Sequence, residues 1–173
     1  MLAAHKAGPD RQEGLSMDKQ EFRGGMSRLA AAVNVITTGG AAGRAGFTAS
    51  AVTSVTDEPP TLLVCMNRNF SGAEAFAANG VLCVNTLGAG QEDISNTFAG
   101  RMSGEERFSV GEWETMTTGA PALKEAAVSF DCEIRDVVEQ GSHKVLFAEV
   151  KAVRLGSDAG GLVYFNRNYH LVR

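Results

Sequence analysis

Apolar positions recur along this chain with two different periods. Phe22, Met26, Leu29 and Val33 are three or four residues apart, and Asp18 followed by Glu21 resembles a capping box. A helix of about twelve residues is predicted there, weakened by Gly24 and Gly25 at about 1 kcal/mol each relative to Ala. After it the pattern turns β-like. Residues 33–38 are β-branched and run into Gly39-Gly40, and 47–55 predicts a second strand that Asp57-Glu58-Pro59-Pro60 ends. The unbroken apolar run 62–66 predicts a strand covered on both faces. A short helix capped by Ser71 follows over 71–78, then a strand over 81–85 and a short helix over 93–99. Alternation is clearest where Val128, Phe130, Cys132 and Ile134 face one way and Ser129, Asp131, Glu133 and Arg135 the other. The Gln140-Gly141-Ser142 turn leads into 145–153, which predicts a long hairpin, and 162–165 reads as a last strand.

Six or more strands with few, short helices predict a mainly β fold, an antiparallel barrel that is closed or partly closed, with helices at its periphery. No repeat or long linker divides the chain, so residues 17–173 are expected to form one domain after a mobile N-terminal tail over 1–16. Composition agrees, with 44% hydrophobic and 21% charged residues. A net charge of −4 gives nucleic acid or an anionic membrane surface no bulk attraction. Three cysteines without a C-x-x-C pair, each in an apolar stretch, read as buried structural thiols rather than a disulfide frame or a metal cluster. No apolar run approaches the ~18 residues of a membrane span, and residues 1–20 hold no signal-peptide core, so a soluble cytoplasmic protein is expected.

Standard catalytic signatures are missing: no G-x-G-x-x-G, no P-loop, no G-x-S-x-G and no H-E-x-x-H. His5, His143 and His170 are too scattered for a helical metal pair. Three segments carry what chemistry there is. Along 46–56, Thr48, Ser50 and Ser54 would share one strand face among small residues, which suits the close approach of a planar heterocycle and equally suits a strand facing solvent. Segments 85–91 and 96–101 place Gly-rich turns beside a helix start, where a phosphate could be held with Arg101, or where an ordinary loop could lie. Gly141-Ser142-His143 sets a histidine in the hairpin turn, able to hydrogen-bond an amide or phosphate, or there incidentally. Glu105-Glu106-Arg107 reads as a solvated charge run.

Taken in order, Phe47-Thr-Ala-Ser-Ala-Val-Thr-Ser-Val-Thr-Asp-Glu-Pro-Pro60, Cys83-Val-Asn-Thr-Leu87, Thr97-Phe-Ala-Gly100, Gly141-Ser-His143 and Tyr164-Phe-Asn-Arg-Asn-Tyr169 resemble the flavin reductase-like family, the small reductase components of two-component monooxygenases. The agreement runs from about residue 19 to the C-terminus; Ala31-Ala-Val-Asn-Val-Ile-Thr-Thr38 and Gly43-Arg-Ala-Gly-Phe-Thr48 look closest to the flavin reductases of uracil breakdown. The resemblance implies a split β-barrel that binds FMN or FAD, a homodimer with flavins near the subunit interface, and NADH or NADPH as hydride donor. It implies that Ala45, Gly46, Phe47 and Thr48, with Ser50 and Ala51, line the flavin ring and ribityl chain. Cys65, Met66 and Asn67 would follow, with Ser71 and Gly72 near the phosphate, Thr97 and Phe98 on the other side, and Arg101 as a phosphate partner. His143 matches the histidine of the family's G-D-H turn, which contacts the nicotinamide, with Ser142 in place of the usual Asp. Tyr164, Phe165, Asn166 and Arg167 match the C-terminal segment that also meets the nicotinamide.

The family offers two enzymatic roles: a reductase that hands reduced flavin to a flavin-dependent monooxygenase, or one that retains its flavin and reduces a corrinoid such as cob(II)yrinic acid diamide. A flavin-binding electron carrier or sensor without NADH activity is a third reading.

Overall fold

The structure, a computed structural model, describes residues 17–102, 104–157 and 160–173, so the tail expected over 1–16 lies outside the described residues. Helix α1 (Lys19–Met26) begins where the capping signal places it, with Asp18 accepting from the Gln20 amide at 3.2 Å. It is shorter than its apolar period suggests. Ser27 caps it, and Phe22, Met26 and Leu29 are each about half exposed or more, so only Val33 of the predicted stripe reaches the core.

The chain then forms β1 (Ala31–Ala32), β2 (Asn34–Thr38), β3 (Ala45–Ala49), β4 (Val52–Asp57) and β5 (Pro60–Asn67). Helix α2 (Ala73–Asn79), β6 (Val81–Thr86) and α3 (Glu92–Asn96) follow, then a wide turn over Thr97–Arg101 and a tight one over Gly104–Ser109. Strands β7 (Trp113–Thr115), β8 (Pro121–Leu123), β9 (Val128–Gln140), β10 (His143–Leu155), β11 (Gly161–Phe165) and β12 (Asn168–Val172) complete the described residues. No helix among them is long and apolar enough to cross a membrane.

Seven strands form one antiparallel sheet in the order β3-β2-β6-β9-β10-β5-β4. Its edge strands, β3 and β4, are separated in the chain by Ser50 and Ala51 alone. Laid flat, six inter-strand steps would hold those edges about 29 Å apart, far beyond the reach of a link that spans about 3.5 Å per residue. The sheet therefore rolls into a partly closed barrel, and the Cys65 amide, donating to the Ala51 carbonyl at 3.1 Å, tacks the link to β5. The single strand expected over 47–55 is thus two strands at opposite edges. Thr48, Ser50 and Ser54 do not share a strand face, because the chain leaves one ladder at Ser50 and joins another at Val52.

Ile36, Val64, Met66, Phe76, Leu82, Val84, Cys132 and Leu146 fill the barrel. A second core, with Val35, Leu87, Phe98, Phe108, Leu123 and Leu162, lies outside it, so β2 is buried on both faces along its whole length. The β9–β10 hairpin forms as its alternation predicts, and its polar face is also covered at the base, where Asp131 accepts from the Thr118 amide and hydroxyl at 2.7 and 2.5 Å. Ser71 does not cap α2: Gly72 occupies that position without a side-chain bond.

Asn85, which opens the polar segment 85–91 that could hold a phosphate or form an ordinary loop, is fully buried and structural. Its amide donates to the Val35 carbonyl at 3.1 Å, while its oxygen accepts from the Leu123 amide at 2.8 Å and the Ser129 hydroxyl at 3.0 Å. These bonds join β2, β6, β8 and β9. Asn85→Ala strands those partners, and at about 2–3 kcal/mol the unfolding midpoint should fall by about 5–10 °C in a thermal melt.

Candidate active site

The split between β3 and β4 opens a groove. One part of it, a cavity of about 370 Å³, is within the range of small-molecule sites. One wall is the end of β3 and the link after it, where Phe47, Thr48, Ala49, Ser50 and Ala51 line it. Ala49, Ser50 and Ala51 are small, and the latter two sit outside the ladder, so a flat ligand can come close to their backbone. Cys65 and Asn67 reach the cavity from β5 because alternate residues of that strand face it; Phe70 follows from the next turn. Phe98 and Ala99 close the opposite side, and His143 stands at the mouth, its Nδ1 2.9 Å from the Ser142 hydroxyl.

Arg107 is the charged group of this cavity. Its Nε donates to the Met102 carbonyl at 2.7 Å and one terminal nitrogen to the Gly46 carbonyl at 2.6 Å, so the guanidinium is fixed with donors to spare. Its carbon also lies 5.7 Å from the centre of the Phe70 ring. The charge run containing it is not uniformly solvated. Glu105 pairs outward with Arg44, whereas Phe108 turns into the second core and carries its neighbour Arg107 onto the cavity wall. The buried aromatic directly after the run is the signal in the sequence that marks Arg107.

The groove continues. Thr48, Ala49, Ser50 and Ala99 also border a recess of about 350 Å³ reaching Ser95, Asn96, Tyr164 and Tyr169. Here the Thr48 hydroxyl donates to the Ser95 carbonyl at 2.6 Å, and the Tyr169 hydroxyl lies 2.8 Å from Ser95 Oγ. Ser50 and Tyr164 then border a third recess with Arg23 and Arg167. Among the described residues, no Asp or Glu lines any of the three. An acidic chain has gathered three guanidinium groups and a histidine along one groove, an arrangement that favours an anionic ligand.

Of the residues the resemblance singles out, Phe47, Thr48, Ser50, Ala51, Cys65, Asn67, Phe98 and His143 meet in the first cavity, and Tyr164 and Arg167 lie further along the groove. Others support the walls without lining them. Gly46 is buried against Phe98, Ala45 packs on the barrel core, and Met66 points into the barrel, as the alternation of β5 requires. Gly72 lies against Ala45 and Phe70, Ser71 is exposed, and the Thr97 hydroxyl is spent on the Asp93 carbonyl at 2.8 Å. Phe165 packs against His170 instead of the groove, and Asn166 contributes its backbone N–H, which donates to the Ser27 carbonyl at 2.6 Å. The side chain of Arg101 lies outside the described residues. Ala49, Phe70, Ser95, Ala99, Arg107, Tyr169 and Arg23 are among the lining residues the sequence reading passed over.

The thiols divide likewise. Cys83 and Cys132 are buried, and burial first, then the nearby Asp131 charge, pushes the Cys132 thiol up to about 12. Cys65 is half-buried and faces the cavity, so it is not a purely structural thiol; burial raises its pKa too.

The residues present fit a flavin: small side chains for a flat ring, a fixed guanidinium for a phosphate, and no carboxylate to repel it. The family model for the flavin reductase like domain matches residues 26–173. An FMN reductase (NADH), RutF, of Ancylobacter novellus is 56% identical over 157 residues, which cover 91% of this chain and 87% of the relative. A structure from Haemophilus somnus 129pt, provisionally assigned as a flavin reductase, is 48% identical with a TM-score of 0.87, covering 90% of this chain and all of that one. The flavin reductase of styrene monooxygenase, SMOB, from Pseudomonas putida S12 superimposes with a TM-score of 0.79 at 25% identity over 88% of this chain and 97% of that one. On fold, groove and sequence together, this chain belongs to the flavin reductase-like family.

Proposed function

We propose that this protein is an NADH:flavin oxidoreductase that takes FMN or FAD into the groove and supplies reduced flavin to a flavin-dependent monooxygenase. The observation that carries this reading is the cavity between β3, β5 and the 97–108 segment: a slot with small side chains on one side, Arg107 on its wall and His143 at its mouth. The names of the relatives, FMN reductase (NADH) and the flavin reductase of styrene monooxygenase, support the donor and the kind of partner.

Bound flavin supplies the ring that accepts hydride, and the nicotinamide supplies the hydride. The protein holds the two in register, which for such a transfer means a separation of about 3–3.5 Å. Ser50 and Ala51 offer backbone amides to the polar edge of the ring. Arg107, with Asn67, holds the phosphate through charge-assisted bonds. His143, at the mouth and oriented by Ser142, positions the carboxamide side of the donor rather than moving a proton.

His143→Ala should therefore raise KM for NADH about 5–10-fold, the worth of about one hydrogen bond, with a smaller loss in kcat. Steady-state NADH oxidation with FMN checks this; a collapsed kcat at unchanged KM would sink the assignment. Gel filtration of the flavin-loaded protein addresses the acceptor. Release of the flavin is expected, whereas tight retention would favour a corrinoid acceptor.

Residues 17–173 act as one domain in the cytoplasm, paired as a homodimer. Val137 and Val138, adjacent on β9 and each nearly half exposed, leave apolar surface on both faces of the hairpin for a second copy to cover.

A further inference from the structure

The cavity proposed to take the flavin has two ends. Thr48, Ala49, Ser50 and Ala99 border both it and the recess that runs on toward Tyr164. Asn67, Phe70 and Arg107 line the cavity but not that recess, so the end with the fixed guanidinium faces away from the continuing groove. There the Phe70 ring stands beside Arg107, its centre 5.7 Å from the guanidinium carbon.

Phe70 is tightly seated. Its backbone N–H donates to the Asn67 carbonyl at 3.0 Å, and its carbonyl accepts from the Ala73 N–H at 3.0 Å. Its ring packs on Phe47 and Phe76 with centres 5.3 and 6.3 Å away, spacings at which aromatic pairs attract. Gly72, with φ of −92°, has no left-handed conformation to satisfy, so its reason is space. A Cβ there would stand 2.6 and 2.7 Å from two carbons of the Phe70 ring. Phe76 belongs to the barrel core, so the ring of Phe70 cannot shift without disturbing that packing.

FMN ends in a phosphate monoester. FAD carries the same phosphate as a diester that continues to a second phosphate and an adenosine. We infer that Phe70 is a specificity-determining residue that makes this a site for FMN rather than FAD, because its ring fills the space beside Arg107 into which the diester would continue. A monoester also offers Arg107 more free oxygens and more negative charge than a diester does. This selectivity rests on the flavin-binding reading above. It is measured without NADH, so its failure and that of the reductase reading are distinguishable.

Fluorescence titration with FMN and FAD tests it. The wild-type protein should bind FMN at least about tenfold more tightly than FAD. In F70A that preference should fall about tenfold, through tighter FAD rather than weaker FMN, as removal of a steric clash requires. F70L keeps an apolar side chain against Phe47 and Phe76 and should fall in between; it decides the question if F70A does not fold. A wild-type protein without the preference, or a preference that the variants leave unchanged, would overturn the selectivity. So would equal losses of both flavins, or a variant that loses FAD more than FMN, which would make the ring a stacking partner for adenine. Any of these beside intact NADH oxidation with FMN leaves the reductase reading standing. The expected preferences in a protein that does not oxidise NADH would overturn the reductase reading alone.

Discussion

Arg107→Met is expected to weaken FMN binding by about 10–100-fold, the effect of losing about 1.5–3 kcal/mol of hydrogen bonding to a charged group. Riboflavin, which has the same ring and no phosphate, should bind nearly as before. The contrast matters because Arg107 also holds the Met102 and Gly46 carbonyls, so its loss could disturb the wall itself. A disturbed wall would weaken both ligands together; a lost phosphate partner weakens FMN alone. Fluorescence titration with the two flavins distinguishes these results. Equal losses would make Arg107 a strut, and no loss for FMN would move the phosphate elsewhere in the groove.

Gly46→Ala should damage both fold and site, although the change is one methyl group. Gly46 lies in β3 with no positive φ to satisfy, so its reason is space. A Cβ there would stand 2.7 and 2.9 Å from two carbons of the Phe98 ring and 3.1 Å from the Ile36 carbonyl. Phe98 cannot retreat, because Phe108 and Trp113 pack on it with ring centres 5.3 Å away. Overpacking of this kind costs about 1–3 kcal/mol, or about 3–10 °C in the melting temperature. The displaced ring is a wall of the cavity proposed to take the flavin, so FMN affinity should fall as well. Gly46→Ala/Phe98→Leu makes room and should recover much of the stability. If the double variant melts no higher than the single one, the clash is not the cause.

The parts of the fold that were legible are those where one face of an element meets the core and the other does not. Residues 128–135 alternate because β9 rests on the barrel through Phe130 and Cys132, and its hairpin partner follows from the Gly141-Ser142 turn. The break between β3 and β4 was not legible. Thr48, Ala49, Ser50, Ala51 and Val52 have similar sizes and β preference, and the break is forced by the closure of the sheet, not by a local turn signal. The stripe on α1 misled for a related reason: spacing shows that Phe22 and Met26 share a face, not that anything covers it. Strands β7 and β8 have three residues each, too few for a period to show, and their pairing with each other defines them.

For the site, most residues that the resemblance singles out meet in one cavity, whereas Gly46, which the resemblance also gives to the ligand, is packed against Phe98. Of the residues that reach the groove from elsewhere in the chain, Phe70 and Tyr169 carry no local sign of it, and Arg107 only the aromatic that follows it. Their placement follows from how the second core packs against β2.

The central claim is that this groove brings NADH onto a bound flavin. Anaerobic rapid mixing of the FMN-loaded protein with NADH, following the absorption of oxidised flavin, tests it most directly. Rapid bleaching, far faster than for free FMN under the same conditions, is the predicted result. A protein that binds FMN yet leaves it unbleached by NADH would contradict the account and point to a flavin carrier or sensor.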